Sequence, residues 1–231
     1  MTTRRSILNI LKQAAVLGAV LILPAASWGA AVSILSYDIT NASVSGCGSW
    51  SHSYSGTITA NGGIGQIGCS LANYSGASGT LNDSVIGSFT NDTQLFDGEA
   101  TITLHLSGLV TLNSVLIFGG DFENNSIPGL ITGATLGFGG SSVALGSTNV
   151  GPSVNSGLAN DLFTISSTAL DGLTGDTLVL SNFTRGGASF YSIAEIVVDG
   201  SAASVAPEPS TYMLFGSGLG GLLWLARRRR A

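Results

Sequence analysis

The chain has 231 residues, and only 9% of them are charged, with eight basic and thirteen acidic side chains. The basic residues stand near the two ends: residues 32–206 contain one, Arg185, against twelve acids, which gives this body a net charge of −11. Such an acidic body excludes binding to nucleic acid or to an anionic membrane through charge, although it attracts divalent cations.

Residues 1–31 predict a secretory signal peptide. Two arginines lie near the start, an apolar run of ten residues extends from Ala14 to Leu23, and small residues follow Pro24. This order is typical of an export signal, and so short an apolar run cannot cross a bilayer. We therefore expect export, with the general secretory route favoured over the twin-arginine route.

The body that follows predicts an all-β fold. Short apolar or alternating runs are separated by Gly, Asn, Asp and Ser, without helical periodicity. Strand spacing and turn chemistry favour one antiparallel β-sandwich domain over residues 32–203, arranged as a jelly roll. A parallel β-helix is the alternative, but no repeat of fixed period supports it. The predicted strands are residues 32–36, 56–60, 85–89, 100–106, 113–118, 134–138, 162–165, 177–181 and 191–198.

Cys47 and Cys69 are the only two cysteines of the chain. In an exported protein a lone pair is most simply a disulfide, and closing such a loop is worth about 3 kcal/mol in the chain-entropy model. A metal site would need more ligands than two cysteines, and a redox pair usually lies closer together in sequence. We therefore predict a structural disulfide.

Several aromatic residues surround this predicted disulfide: Trp50, His52, Tyr54 and Tyr74. A carbohydrate-binding face needs exposed rings beside amides and acids, so Trp50, Tyr54 and Tyr74 are candidate sugar-binding residues. Alternatively, these rings pack over the disulfide as a small satellite core. The sequence leaves both interpretations open.

Asp83 and Glu195 are candidate ligands for a structural calcium ion. Glu195 shares one face of the last predicted strand with Tyr191, Ile193 and Val197. If that face is buried, the carboxylate needs a cation or strong hydrogen-bond donors. Asp83 lies in one of several segments rich in acids and amides, whose oxygens calcium prefers. A solvated or simply hydrogen-bonded Glu195 is the alternative.

The C-terminal segment has three parts: Pro207, Glu208 and Pro209, then the uncharged residues 210–226, then Arg227, Arg228, Arg229 and Arg230. The 17 uncharged residues are about the minimum for crossing a bilayer, and the arginines mark the cytoplasmic end. We predict a linker at residues 204–209, a transmembrane helix at 210–226 and a basic cytoplasmic tail at 227–231. A buried core helix is the alternative.

These three parts, in this order, resemble the PEP-CTERM sorting signal. The resemblance implies a Gram-negative bacterium with an exosortase, a membrane cysteine protease-like transpeptidase that recognises the Pro-Glu-Pro region and cuts near it. It also implies an inner-membrane intermediate whose body faces the periplasm, followed by release to the cell surface or the extracellular space. Proteins with this signal are typically linked to exopolysaccharide and biofilm.

Residues 190–200, with the sequence FYSIAEIVVDG, resemble the closing strand of galactose-binding-like, discoidin-type domains. Two upstream segments agree with this resemblance: residues 95–98 before a strand, and residues 100–119 as two strands in sequence. The resemblance implies a β-sandwich that commonly binds carbohydrate through loops at one end. It also implies a structural calcium ion, which many members hold.

The sequence does not predict catalysis. The body has two histidines, His52 and His105, and it lacks the G-x-S-x-G and H-E-x-x-H motifs of hydrolases. We therefore expect a noncatalytic protein with no required cofactor. Its expected partners are the export machinery, an exosortase and extracellular polysaccharide. The alternatives are a structural or adhesive coat protein with no ligand pocket, and a secreted glycan hydrolase.

Overall fold

The computed structural model describes residues 32–87, 90–120, 129–146, 148–149, 160–165, 169, 172–186, 188–203, 217–218 and 228. The predicted signal peptide and linker lie outside the described residues, as do nearly all of the predicted transmembrane helix and basic tail. In the described part of the chain, no helix has the length and apolar character needed to cross a membrane.

The described body is built from β-strands, with 3₁₀ helices at Cys47–Ser49 and Thr80–Asn82. The strands are β1 (Ile34–Ser43), β2 (Thr57–Ile64), β3 (Ser70–Ala77), β4 (Gln94–Phe96), β5 (Thr101–Gly120), β6 (Leu130–Phe138), β7 (Ser141–Gly146), β8 (Thr148–Asn149), β9 (Asn160–Ile165), β10 (Thr174–Gly186) and β11 (Tyr191–Ala202).

These strands pair in antiparallel fashion in two groups. Seven of them follow the order β2-β3-β1-β5-β10-β6-β7. In the second group, β11 and β9 each pair with the second half of β5. Strand β4 pairs with β11, and β8 pairs with β9. The 20-residue β5 belongs to both groups: its first half pairs with β1 and β10, and its second half pairs with β11 and β9. The predicted all-β antiparallel fold is confirmed, and the arrangement is consistent with a β-sandwich.

One hydrophobic core is shared by both groups of strands. Ile102 and Leu104 from the first half of β5, Val115 and Ile117 from its second half, and Ile196 from β11 are each at most 1% exposed. Their spacing of two residues follows from the alternation of side chains along a strand. Full burial of such a side chain stabilises the fold by about 1.5–3 kcal/mol.

The predicted strands differ from the structure in three ways. Residues 100–106 and 113–118 are two parts of the single strand β5. Strands β3, β4, β7 and β8 were not predicted, because segments such as SLANYSGA in β3 are rich in small polar residues and show weak alternation. The predicted strand 85–89 is wrong at residues 85–87, which form no strand.

The error at residues 85–87 has a local cause. Ser84 has a left-handed backbone with φ +67°, and the N–H of Val85 donates to Oδ1 of Asp83 at 2.9 Å. This is turn chemistry, in which an aspartate binds the backbone two residues later. The apolar pair Val85 and Ile86 is consequently half exposed instead of lying in a strand.

Candidate functional site

Cys47 and Cys69 form the predicted disulfide, with their Cα atoms 5.8 Å apart. The loop before β3, which contains Cys69, is also held by the buried Asp97, whose two carboxylate oxygens accept the N–H of Ile67 at 2.9 and 3.0 Å. A Cβ atom at Gly65 would overlap the Asp97 carboxylate, so the loop requires glycine at this position. Asp97 and the disulfide together fix the loop.

The first candidate sugar-binding ring, Trp50, lies over this disulfide. It is 7% exposed, clusters with Cys69 and Leu95, and meets the ring of Phe190 edge-on at 5.9 Å between centroids. This is the satellite core that the sequence left open as an alternative. The ring of Trp50 therefore presents no exposed face to a ligand.

The other two rings, Tyr54 and Tyr74, lie 5.3 Å apart in a second cluster that includes His52. Tyr74 is 1% exposed, and its hydroxyl donates to the carbonyl oxygen of Ser43 at 3.0 Å. Nε2 of His52, 2.9 Å from the Tyr74 hydroxyl, must then be the donor to it. Burial lowers the pKa of His52 to about 4, so its imidazole is neutral. A sugar-binding role stays a prediction for Tyr54, which is half-buried, and Tyr74 offers no ring face for one.

The structure places Asp83 beside Glu195, the two candidate calcium ligands. Glu195 is 4% exposed on β11, and its Oε2 accepts the N–H of Ser84 at 3.1 Å. Burial, followed by the charge of Asp92, raises the pKa of Asp83. Burial, followed by the charge of Asp83, raises the pKa of Glu195 to about 8. Two neighbouring carboxyl groups need a shared proton or a cation between them.

A structural calcium ion at this acid pair stays a prediction. Calcium takes about six to eight oxygen ligands, including carboxylates, backbone carbonyls and water. Among the residues that the structure describes, no group of three or more His, Cys, Asp and Glu side chains is arranged to hold a metal ion. Asp83 and Glu195 would therefore supply the two carboxylates, and backbone carbonyls or water would supply the rest.

A cavity of about 230 Å³ opens between the β4–β5 connection, the end of β10 and the start of β11. Its lining combines a carboxylate, a carboxamide, hydroxyls and a guanidinium with aromatic rings. The lining residues are Gly98, Glu99, Ala100, Asn182, Phe183, Thr184, Arg185 and Tyr191. A concave site with apolar walls and a few convergent polar groups is typical of small-ligand binding.

A β-bulge in β10 orients two of these residues. Leu180 points into the core, so strict alternation would also bring Asn182 inward. Instead, the pairing with β6 shifts register after Ser181, and Asn182 adopts a left-handed backbone with φ +48°. Phe183 is buried as a result, the register shifts again between Thr184 and Arg185, and Arg185 lines the cavity. The bulge therefore turns Arg185 toward the cavity.

Tyr191 lies at the base of the cavity. Its ring stacks on Phe96 at 4.9 Å and lies 5.0 Å from the ring of Phe183. Cζ of Arg185 lies 5.8 Å from the Tyr191 ring centroid, within the range of a cation–π contact. The hydroxyl of Tyr191 is buried and has no hydrogen-bond partner among the described residues. Tyr191 thus contributes a buried ring to the cavity wall, and its hydroxyl is closed off from solvent.

Sequence reasoning did not assign Arg185, Asn182 or Tyr191 to a binding site. A signal was present for Arg185, because it is the one basic residue of the acidic body. No comparable signal marked Asn182 or Tyr191, since their positions in the cavity depend on the bulge and on the pairing of β10 and β11 with separate partners.

Solved structures with a related architecture include carbohydrate-binding modules. A family 32 module from C. perfringens NanJ, in complex with galactose, shares 16% identity over 52% of this chain and 81% of that chain, with a TM-score of 0.36. The family 32 module of AlyQ, in complex with 4,5-unsaturated mannuronic acid, shares 21% identity over 52% of this chain and 82% of that chain, with a TM-score of 0.34. These distant similarities assign no ligand to this chain.

A third similarity is to a larger protein. A family 89 glycoside hydrolase from Clostridium perfringens, in complex with 2-acetamido-1,2-dideoxynojirmycin, shares 16% identity over 66% of this chain, with a TM-score of 0.37. The match covers only 15% of the hydrolase chain. It therefore assigns no activity to this protein.

No curated protein sequence matches the chain. A family model does match residues 205–230, and its description is the PEP-CTERM protein-sorting motif. The matched span includes the Pro-Glu-Pro residues and the four arginines on which the sequence prediction rested. This motif indicates export and sorting by an exosortase. The chain thus carries a PEP-CTERM protein-sorting motif at residues 205–230.

Proposed function

We propose that this protein is exported, sorted by an exosortase and displayed at the cell surface or in the extracellular matrix, where its β-rich body binds carbohydrate without catalysis. The sorting motif at residues 205–230 supports the first part. The observation that carries the second part is the cavity beside Tyr191, whose lining joins planar polar groups to aromatic rings.

The lining of the cavity favours a polyhydroxylated ligand. Glu99, Asn182 and Arg185 each offer at least two hydrogen-bonding atoms in one plane, which match neighbouring hydroxyls of a sugar ring. Phe183 and Tyr191 are buried and form an apolar wall beneath these groups, so the proposal rests on the polar lining and not on ring stacking. A purely apolar ligand would leave the polar groups without partners, at a cost of about 1–3 kcal/mol each.

The same lining supports binding rather than hydrolysis. Glycoside hydrolysis commonly uses two carboxyl groups on either side of the scissile bond. Among the described lining residues Glu99 is the one carboxylate. His105 lies on β5 in a half-exposed pair with Asp38, at 2.8 Å, and does not line the cavity. The presence of a cavity also favours a binding protein over a coat protein without a ligand pocket.

The proposal includes a membrane-bound intermediate. Residues 210–226 would hold the chain in the inner membrane of a Gram-negative bacterium, with Arg227–Arg230 in the cytoplasm and the body in the periplasm. Mass spectrometry of the mature surface protein should then show a new C-terminus near residues 207–210 and loss of the arginines. An intact arginine run on the surface-exposed protein would contradict exosortase processing.

A structural calcium ion at Asp83 and Glu195 is also part of the proposal. The burial of Glu195, and its hydrogen bond to the N–H of Ser84 next to Asp83, support it. The ion would neutralise both charges and thereby hold the connection around Ser84 against β11. Its role would be structural, because neither residue lines the cavity.

Glycan-array binding tests the carbohydrate proposal. The purified protein should bind at least one glycan, and Glu99→Ala and Asn182→Gly should each weaken that binding about tenfold, as expected for loss of a hydrogen-bonding group. Glycine preserves the left-handed backbone of Asn182, so the second variant removes only the carboxamide. Thr59→Ala on the exposed strand β2 is the matched control and should bind normally. Failure to bind any glycan, or normal binding by both cavity variants, would refute the proposal.

A further inference from the structure

The cavity contains the single basic side chain of an otherwise acidic body. Residues 32–206 hold Arg185 and twelve acids, so a random surface position would far more often be acidic than basic. The bulge at Asn182 nevertheless turns this residue toward the cavity beside Tyr191. The location of the one cation therefore calls for a chemical explanation.

Within the described residues, no carboxylate takes up the hydrogen-bonding capacity of the Arg185 guanidinium. Among the described residues, no carboxylate lies within ion-pair distance of it, although Glu99 lines the same cavity. Its contact with Tyr191 is to the ring face, which occupies none of its five N–H donors. A guanidinium in this state is suited to an anionic acceptor, which it binds through two parallel hydrogen bonds.

Arg185 does not act alone in the cavity. Glu99 and Asn182 line it too and remain available for ligand hydroxyls. A carboxylate can accept hydrogen bonds at about four lone-pair positions, so one such group can accept two parallel N–H groups of Arg185.

The acidic charge of the body does not prevent such binding. Charges separated by more than about 8 Å are largely screened at physiological ionic strength, whereas a bidentate arginine–carboxylate contact is short and direct. Glu99 opposes a carboxylate next to itself, and it therefore favours the orientation in which the ligand carboxylate faces Arg185.

From these contacts we infer that the cavity binds an acidic sugar, a uronic acid residue whose carboxylate pairs with Arg185. This inference rests on the proposed carbohydrate-binding function and narrows its ligand class. It identifies Arg185 as the residue that distinguishes an acidic sugar from its neutral counterpart.

Matched pairs of methyl glycosides test the inference. Each pair differs only at C6, as galacturonide and galactoside, glucuronide and glucoside, or mannuronide and mannoside do. Titrations of the full-length chain in detergent micelles, followed by calorimetry or NMR, should show at least one uronide binding about tenfold more tightly than its neutral partner. Arg185→Gln should reduce that ratio to about one, and Glu99→Gln should preserve or increase it.

One further variant keeps the result interpretable. Arg185→Lys retains the charge without the planar fork of the guanidinium and should give an intermediate ratio. An unchanged melting temperature shows that a variant is folded. Equal binding of neutral and acidic sugars by the unmodified chain refutes the inference and leaves the carbohydrate function standing. Failure of every pair to bind refutes the inference, and failure on the glycan array as well refutes the carbohydrate function.

Discussion

Acidification should destabilise the protein through His52. Burial lowers the pKa of this residue from 6.5 to about 4, although the charge of Asp92 partly opposes the shift. The unfolded chain therefore binds the proton more tightly than the folded protein does. The neutral His52 ring contributes its full share to the free energy of unfolding above pH 6.5. This contribution is lost as the pH falls toward 4.

The size of the effect follows from the pKa difference. A shift of one unit corresponds to about 1.4 kcal/mol, so the two pKa values predict a loss of roughly 2.5 kcal/mol between pH 7 and pH 4.5. Partial solvent exposure of His52 reduces this to about 2 kcal/mol. Protonation would also place a charge among Tyr54 and Tyr74, whose rings leave little room for water.

Urea unfolding at pH 7 and pH 4.5 measures this effect when His52→Gln is compared with the unmodified protein. Glutamine does not titrate in this range but can still donate a hydrogen bond to the Tyr74 hydroxyl. Carboxyl groups titrate in both proteins, so their contribution cancels in the comparison. The unmodified protein should lose about 2 kcal/mol more than the variant. Equal losses in the two proteins would refute the reasoning.

Three further predictions concern stability. Cys47→Ser with Cys69→Ser should lower the free energy of unfolding by about 3 kcal/mol, given a separation of 22 residues, and equal stability with and without reductant would contradict a structural role. Calcium chelation should lower the melting temperature of the unmodified protein but not of Glu195→Gln; no chelator effect on either would end the calcium proposal. Asp97→Ala should destabilise by about 1–3 kcal/mol by removing the buried carboxylate that accepts the N–H of Ile67, and intact stability in thermal unfolding would argue against this anchor.

The fold class was predictable because its signals are local. Alternating segments such as TITLHL in β5 expose the two-residue period of a strand directly in the sequence, and the body shows no competing helical period. Weaker strands such as β3 and β7 lacked this signal, since Gly, Ser and Ala fill many of their positions. Their pairing with stronger neighbours, which the sequence does not show, makes them strands.

The parts of the candidate site also differed in how far the sequence could predict them. The disulfide and the sorting motif depend on residue type and order, so both could be predicted and both were confirmed. The cavity depends on one left-handed residue, Asn182, within an otherwise regular strand. Nothing in the sequence distinguishes this asparagine from the many in turns, and a one-residue change of register decides whether Arg185 faces the cavity.

The two edge strands of the seven-strand group affect how readily the protein associates with itself at high concentration. The edge strands β2 and β7 have the sequences TITANGGI and SSVALG, which contain no charged residue. Many proteins protect edge strands with lysine, and residues 32–206 have none. Repulsion between acidic bodies is then the chief barrier to edge-to-edge pairing, and salt screens it. Colloidal stability should consequently fall as ionic strength and local concentration rise, as in a dense extracellular layer.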